Sequence, residues 1–211
     1  MAPRQEHETA PRHSTEPLWQ WRPRLAVAAG LCALALVVLT AAVSGPTAPA
    51  WELDVVDAAT DFPNAIGYPA RGVMELGTLR SAAAAALVSG AVLRRWRPAV
   101  ALAGAALAAW LVSNELKDIA ERSRPMGVQL RDGSDGFGYT STHTAVAFAL
   151  ATVAAPLVPA RWRWVPWAAA VVVGWARMHV GVHFPVDVLG GALVGVAIGL
   201  GVRSVFRYTS A

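Results

Sequence analysis

Residues 25–43 read LAVAAGLCALALVVLTAAV, nineteen consecutive positions without a charge. A helix rises about 1.5 Å per residue and the hydrocarbon core of a bilayer is about 30 Å thick, so a run of this length can span it. Five more apolar runs follow, at about 77–93, 98–116, 143–159, 164–182 and 185–202. Open loops and sheet edges do not cross lipid, which leaves helices or closed barrels. Barrel strands alternate apolar and polar residues, and these runs do not. The expected fold is therefore all-α: an integral membrane six-helix bundle spanning residues 25–207. A polar stretch, 1–24, holds Pro3, Pro11, Pro17 and Pro23 and reads as a disordered cytoplasmic tail. The run at 77–93 is the least regular, because Arg80 sits near its outer end and the strongly apolar part begins at Ser81.

Composition agrees. The 211 residues are 55% hydrophobic and 15% charged, against about 25% charged in an ordinary soluble domain. Mean hydropathy is +0.42. The net charge is +4, but the basic residues sit in small groups between apolar runs. No basic stripe runs along one face, so nucleic acid is not an expected partner. The single cysteine, Cys32, lies inside the first run, which excludes an intrachain disulfide and a cysteine-built metal site.

Basic residues also orient the bundle. With a cytoplasmic N-terminus, the inner segments hold eleven of the 18 Lys and Arg: Arg4, Arg12, Arg22, Arg24, Arg94, Arg95, Arg97, Arg161, Arg163, Arg203 and Arg207. Most acidic residues fall on the other side. Trp19, Trp21, Trp96, Trp162 and Trp164 flank the inner helix ends, as interfacial rings do. Thr47-Ala48-Pro49-Ala50 resembles a signal-peptidase site, but a secretory apolar region is about 7–15 residues long. The first run is longer, so an uncleaved anchor is expected. Two longer polar loops, 44–76 and 117–142, lie on the outer side.

Three polar clusters stand at helix ends on that side. Lys117-Asp118-Ile119-Ala120-Glu121-Arg122-Ser123-Arg124-Pro125 comes first. On a helix, Lys117 and Arg124 share one face two turns apart and can converge on an anion. Equally, Glu121 is spaced to pair with both. Second is Tyr139-Thr140-Ser141-Thr142-His143, directly before the fourth run. Ser141 or Thr142 can cap that helix, whose first amides form a natural anion site. An ordinary cap beside an interfacial histidine fits the same residues. Third are Arg177, His179, His183 and Asp187, with Pro185 suited to a first helical turn. The spacing of four brings Asp187 within reach of the His183 imidazole, where a carboxylate fixes one ring nitrogen and leaves the other free to attack. Ionisable groups at membrane depth are costly unless paired or facing water, which marks them as functional candidates. Cations, helix-start amides, a nucleophile and an acid are what phosphoryl transfer requires.

The chain resembles the type 2 phosphatidic acid phosphatase (PAP2) family, which shares its site with vanadium haloperoxidases and bacterial acid phosphatases. The family pattern is Lys-x6-Arg-Pro, then Pro-Ser-Gly-His, then Ser-Arg-x5-His-x3-Asp. Lys117 and Arg124-Pro125 match the first in full. Ser141 and His143 match the second, with Thr140 and Thr142 departing from it. Arg177, His183 and Asp187 match the third, with Ala176 in place of its leading Ser. The resemblance implies that His183 attacks phosphorus, Asp187 orients it, and His143 protonates the leaving oxygen and then activates water. Lys117, Arg124 and Arg177 would bind phosphate, assisted by Ser141, Thr142 and nearby amides. It implies no metal and no other cofactor. The expected substrate is a lipid-linked phosphate or diphosphate handled at the outer face of the plasma membrane. Polyprenyl (undecaprenyl or decaprenyl) diphosphate is first choice, with phosphatidic acid or phosphatidylglycerol phosphate as alternatives. A lipid phosphotransferase using the same site fits the same residues. So, less well, do a metal site on His179, His183 and Asp187 and a non-catalytic lipid-binding protein.

Overall fold

A computed structural model describes residues 21–43, 45, 47–63, 69, 71–125 and 136–206, and over these the chain is helical. Seven α-helices are seen among the described residues: α1 (Pro23–Val43), α2 (Ala50–Thr60), α3 (Leu79–Leu93), α4 (Trp96–Ala120), α5 (Thr142–Ala154), α6 (Trp164–His179) and α7 (Pro185–Val205). A short helical segment, Arg71–Gly77, meets α3 at a bend of 69°. Each of the six apolar runs corresponds to a helix. The tail expected over 1–24 lies, for residues 1–20, outside the described residues, and α1 already begins at Pro23.

Prolines mark the starts. Pro98, Pro166 and Pro185 fall in the first turns of α4, α6 and α7, where a missing N–H costs nothing. At the other end of α3, Arg94 adopts a left-handed conformation with φ of 50° and stops the helix. Helix α5 is short. It passes into a 3-10 turn, Ala155–Leu157, that contains Pro156, and Pro159 follows.

Among the described residues, three helices are long and apolar enough to cross a membrane: α1, α4 and α7. The bent pair Arg71–Gly77 and α3 makes a fourth if counted as one span. Helix α5, carried to Leu157, and α6 are shorter than the runs read at 143–159 and 164–182. Lipid-facing character is plain on α1, where Val27, Leu31, Leu34, Val37 and Val38 are exposed, and on α3, where Leu87, Val88 and Val92 are.

Helix α5 is the central element, packed by α4, α6 and α7. Its small residues Ala145, Ala147, Ala149 and Ala151 are buried. Gly191, Gly195 and Gly199 of α7 lie directly against it. A Cβ at Gly191 would meet the Ser141 carbonyl oxygen at 2.5 Å, one at Gly195 would run into that of Ala145, and one at Gly199 would meet Thr152 Cβ at 2.5 Å. These three glycines let α7 approach α5 closely, against its backbone at Gly191 and Gly195 and against Thr152 at Gly199. Helix α1 packs along α7, with the Arg22 N–H donating to the Ser204 carbonyl at 3.0 Å.

One element departs from the sequence reading. Within 44–76, taken there as a polar loop, Ala50–Thr60 is a helix that buries Glu52, Val56 and Ala59. These positions share one face. The acidic residues Asp54 and Asp57 on its other faces hide that short apolar stripe from a composition-based reading.

Candidate active site

The C-terminal ends of α4 and α6 and the N-terminal ends of α5 and α7 meet at one end of the bundle, around a cavity of about 510 Å³. Lys117, Arg124, Thr142, His143, Arg177 and His183 line it, together with Asn114, Trp110 and Gly77 to Arg80. The three polar clusters, scattered over 71 residues from Lys117 to Asp187, have converged.

Lys117 is in the last turn of α4. Its Nζ donates to Thr142 Oγ1 at 2.7 Å and to Asn114 Oδ1 at 3.4 Å. Arg124 does not share a helix with it, contrary to the helical-face reading. Helix α4 ends at Ala120, and Glu121 takes a left-handed conformation with φ of 48° while its N–H donates to the Lys117 carbonyl at 3.0 Å. The chain then runs extended toward Pro125, which disfavours helix in the residue before it. Arg124 reaches the cavity from this segment, braced by Nε to the Gly136 carbonyl at 3.0 Å and Nη1 to the Val182 carbonyl at 2.9 Å. Glu121 is exposed, so the alternative of Glu121 as the cluster's organising partner finds no support in the ion pairs seen.

Ser141 occupies the N-cap position of α5, but its side chain does not accept an amide hydrogen bond. The hydroxyl instead accepts from Thr144 Oγ1 at 2.9 Å and is fully buried. It is Thr142 and His143 that reach the cavity. Arg177, two residues before the end of α6, is buried, and its Nη1 lies 3.7 Å from Met74 Sδ.

His183 precedes Pro185, which starts α7. Its Nδ1 lies 3.6 Å from Asp187 Oδ2, an ion-pair distance that is longer than a hydrogen bond. Catalytic contacts commonly tighten when substrate is bound. Asp187 Oδ2 also accepts the Phe184 N–H at 2.8 Å. Gly138 permits this packing: a Cβ there would lie 3.1 Å from the same Oδ2. Burial, and then the nearby charges of Arg177, Arg124, Lys117 and His143, push the His183 pKa well below its ordinary value of 6.5. The imidazole is therefore neutral, the form that can attack.

His179 is directed elsewhere. It is buried, stacked on Trp175 with ring centroids 4.9 Å apart, and its Nδ1 donates to the Ala59 carbonyl at 2.7 Å. It fastens α2 to α6 and does not join His183 and Asp187 as a third ligand. No group of three His, Cys, Asp or Glu suited to a metal ion is found among the described residues.

Three contributors escaped the sequence reading. Asn114 lies three residues before Lys117, a helical spacing that makes it visible in retrospect. Arg122 and Glu52 form a buried network behind Asp187, and of the two only Arg122 lies within a motif stretch.

A model of the PAP2 superfamily matches residues 76–210, more than half of the chain. The chain belongs to the PAP2 superfamily. The transmembrane PAP2-type phosphatidylglycerolphosphate phosphatase of Bacillus subtilis superposes with a TM-score of 0.73 at 23% identity, over 83% of this chain and 94% of that one. LpxE of Aquifex aeolicus superposes with a TM-score of 0.64 at 22% identity, over 72% of this chain and 93% of that one. At these identities the likeness is one of fold. No curated protein matches the chain by sequence. The chain thus has the fold of membrane PAP2 phosphatases, with Lys117, Arg124, Arg177, His143 and His183 gathered at one cavity.

Proposed function

We propose that this PAP2 protein removes phosphate from a lipid-linked phosphate or diphosphate through a phosphohistidine. The observation that carries it is the gathering of Lys117, Arg124 and Arg177 with His143 and His183 around one cavity, with Asp187 behind His183. The cations bind the phosphate oxygens and offset charge developing on them. His183 Nε2 attacks the terminal phosphorus and the bond to the leaving oxygen breaks, the lipid oxygen in a monophosphate or the bridging oxygen in a diphosphate. His143 gives that oxygen a proton, then takes one from water. The water oxygen bonds to phosphorus, the P–N bond breaks, and inorganic phosphate leaves. No metal or other cofactor takes part in this scheme.

In the proposed topology all six apolar helices cross the plasma membrane and the site faces outward. Arg94, Arg95, Arg97, Arg161, Arg163 and Arg203 lie at the opposite end of their helices from the cavity, with the exposed rings of Trp21, Trp96, Trp162 and Trp164 beside them. That distribution fits a cytoplasmic basic end with an interfacial aromatic belt. A polyprenyl diphosphate is the preferred substrate. Arg80 at the cavity wall is the cation that would meet a second phosphate, giving up its exposed pairing with Glu75 at 3.3 Å to do so.

The test uses purified protein in detergent micelles with phosphatidic acid, phosphatidylglycerol phosphate and polyprenyl diphosphate. Phosphate release after exhaustive chelation is expected, fastest from the diphosphate. Preference for water-soluble phosphates would overturn the lipid reading. Phosphate appearing on an added alcohol and not in solution would make the protein a transferase.

A further inference from the structure

Asp187 stands at the start of a membrane-spanning helix, and its hold on His183 depends on what holds Asp187. Two buried residues do so. Arg122 Nη1 donates to Asp187 Oδ1 at 2.7 Å, and Arg122 Nη2 donates to Glu52 Oε1 at 2.5 Å. Arg122 and Glu52 are each 1% exposed, and Asp187 is 0% exposed. Glu52 Oε2 also lies 3.4 Å from the Val186 N–H at the head of α7. The Arg122 guanidinium sits over the Phe184 ring, 4.9 Å from its centroid, next to His183. Neither Arg122 nor Glu52 lines the cavity, so neither is placed to touch the phosphate.

Stability is a poor reason for this arrangement. Taking three charges out of water is expensive, and well-packed apolar residues often serve as well or better. The geometry does something apolar residues cannot. Arg122 fixes Oδ1 and the Phe184 N–H fixes Oδ2, so the carboxylate plane is set with Oδ2 toward His183 Nδ1. Alone, Arg122 would neutralise Asp187. The Glu52 carboxylate offsets the arginine and leaves Asp187 with a net negative charge on the histidine side. That charge matters when His183 bonds to phosphorus. The ring keeps its Nδ1 proton and becomes cationic, and Asp187 balances it.

We propose that Glu52 and Arg122 are positioning residues that act through Asp187, holding its carboxylate and its charge for the phosphorylated His183. This rests on His183 being the nucleophile. Glu52 precedes residues 76–210, the part the family model matches. It comes from α2, which the His179–Ala59 bond ties to α6. The chain's own N-terminal region therefore completes the site.

The experiment measures kcat, KM and thermal midpoint in detergent, with whichever of the three lipids above is turned over fastest. Glu52→Gln should lower kcat about tenfold, the size of effect expected of a partner that orients a reacting group, with KM within about twofold. Placed on Asp187→Asn, Glu52→Gln should add nothing, since its route is already cut. Glu52→Leu combined with Arg122→Met should melt at or above the wild type and still lose at least about tenfold in kcat. Full kcat in that double variant would overturn the proposal. So would an equal Glu52→Gln cost with and without Asp187→Asn, which also decides the matter if the double variant does not fold. His183→Ala separates the two claims. Turnover surviving in His183→Ala removes the phosphohistidine itself. A dead His183→Ala beside a fully active double variant removes only the role of Glu52 and Arg122.

Discussion

His183 is buried and has Arg177, Arg124, Lys117 and His143 nearby, and both effects hold its pKa well below 6.5. The consequence for stability has a definite sign. Below pH 6.5 the unfolded chain binds a proton at this residue, whereas the folded chain does not until well below that pH. Folding therefore loses stability through His183 as the pH falls below 6.5, and above 6.5 the residue contributes no slope. Thermal midpoints at pH 7.5 and 5.5 should fall more steeply for the wild type than for His183→Asn, whose other groups titrate alike. Equal falls would mean that the imidazole is protonated in the fold. At this scale the motif residues were legible because their spacing reports chemistry directly. Lys117, Arg124, His143, Arg177, His183 and Asp187 all lie at the cavity or just behind it. Ser141 does not reach the cavity, because Thr144 one turn later claims its hydroxyl. Glu52 was illegible for a different reason: its partner Arg122 is 70 residues away, and nothing local distinguishes a buried glutamate from a solvated one.

The helices act here as positioning devices whose ends matter more than their length. Lys117 and Arg124 reach one cavity because α4 breaks at Glu121, where a left-handed residue turns the chain and swings Arg122 inward. A continuous helix, as the spacing suggested, would have been read from the same letters. The apolar runs predicted where helices would form, since hydrophobic length is a coarse signal that survives local detail. The same signal missed α2, whose buried face is only three residues wide. Contact between α5 and α7 is the joint that sets His143 against His183 and Asp187. Gly195→Leu would drive a side chain into the Ala145 carbonyl and the Phe148 Cβ. Overpacking of this kind typically costs about 1–3 kcal/mol. We expect Gly195→Leu to lower the thermal midpoint in detergent and to reduce kcat with it. An unchanged midpoint would mean that the two helices are not held this closely. Gly201, which a Cβ would meet in open space, supplies the control: Gly201→Leu should be tolerated.

The whole molecule is a bundle with two unlike ends. One gathers arginines and tryptophans at helix termini, and the other gathers the cavity, its three motif cations and its two histidines. Alternation of the chain up and down the bundle produces this polarity, since every second connection returns to the same end. Between the ends, side chains are mostly small and apolar, and the outer faces of α1 and α3 offer lipid a continuous apolar surface. Under the proposed function, the headgroup is processed at the membrane boundary while its tail stays in the bilayer. The central claim is that phosphate passes through His183. Its most direct measurement uses His143→Ala with a 32P-labelled lipid substrate, quenched in alkali and mapped by peptide sequencing. Without His143 the water step is starved of its base, while a phosphate leaving group departs readily without its acid. Acid-labile, alkali-stable label is expected on His183 and none in His183→Ala. Label on any other residue, or none while the wild type turns over the same substrate, would contradict it.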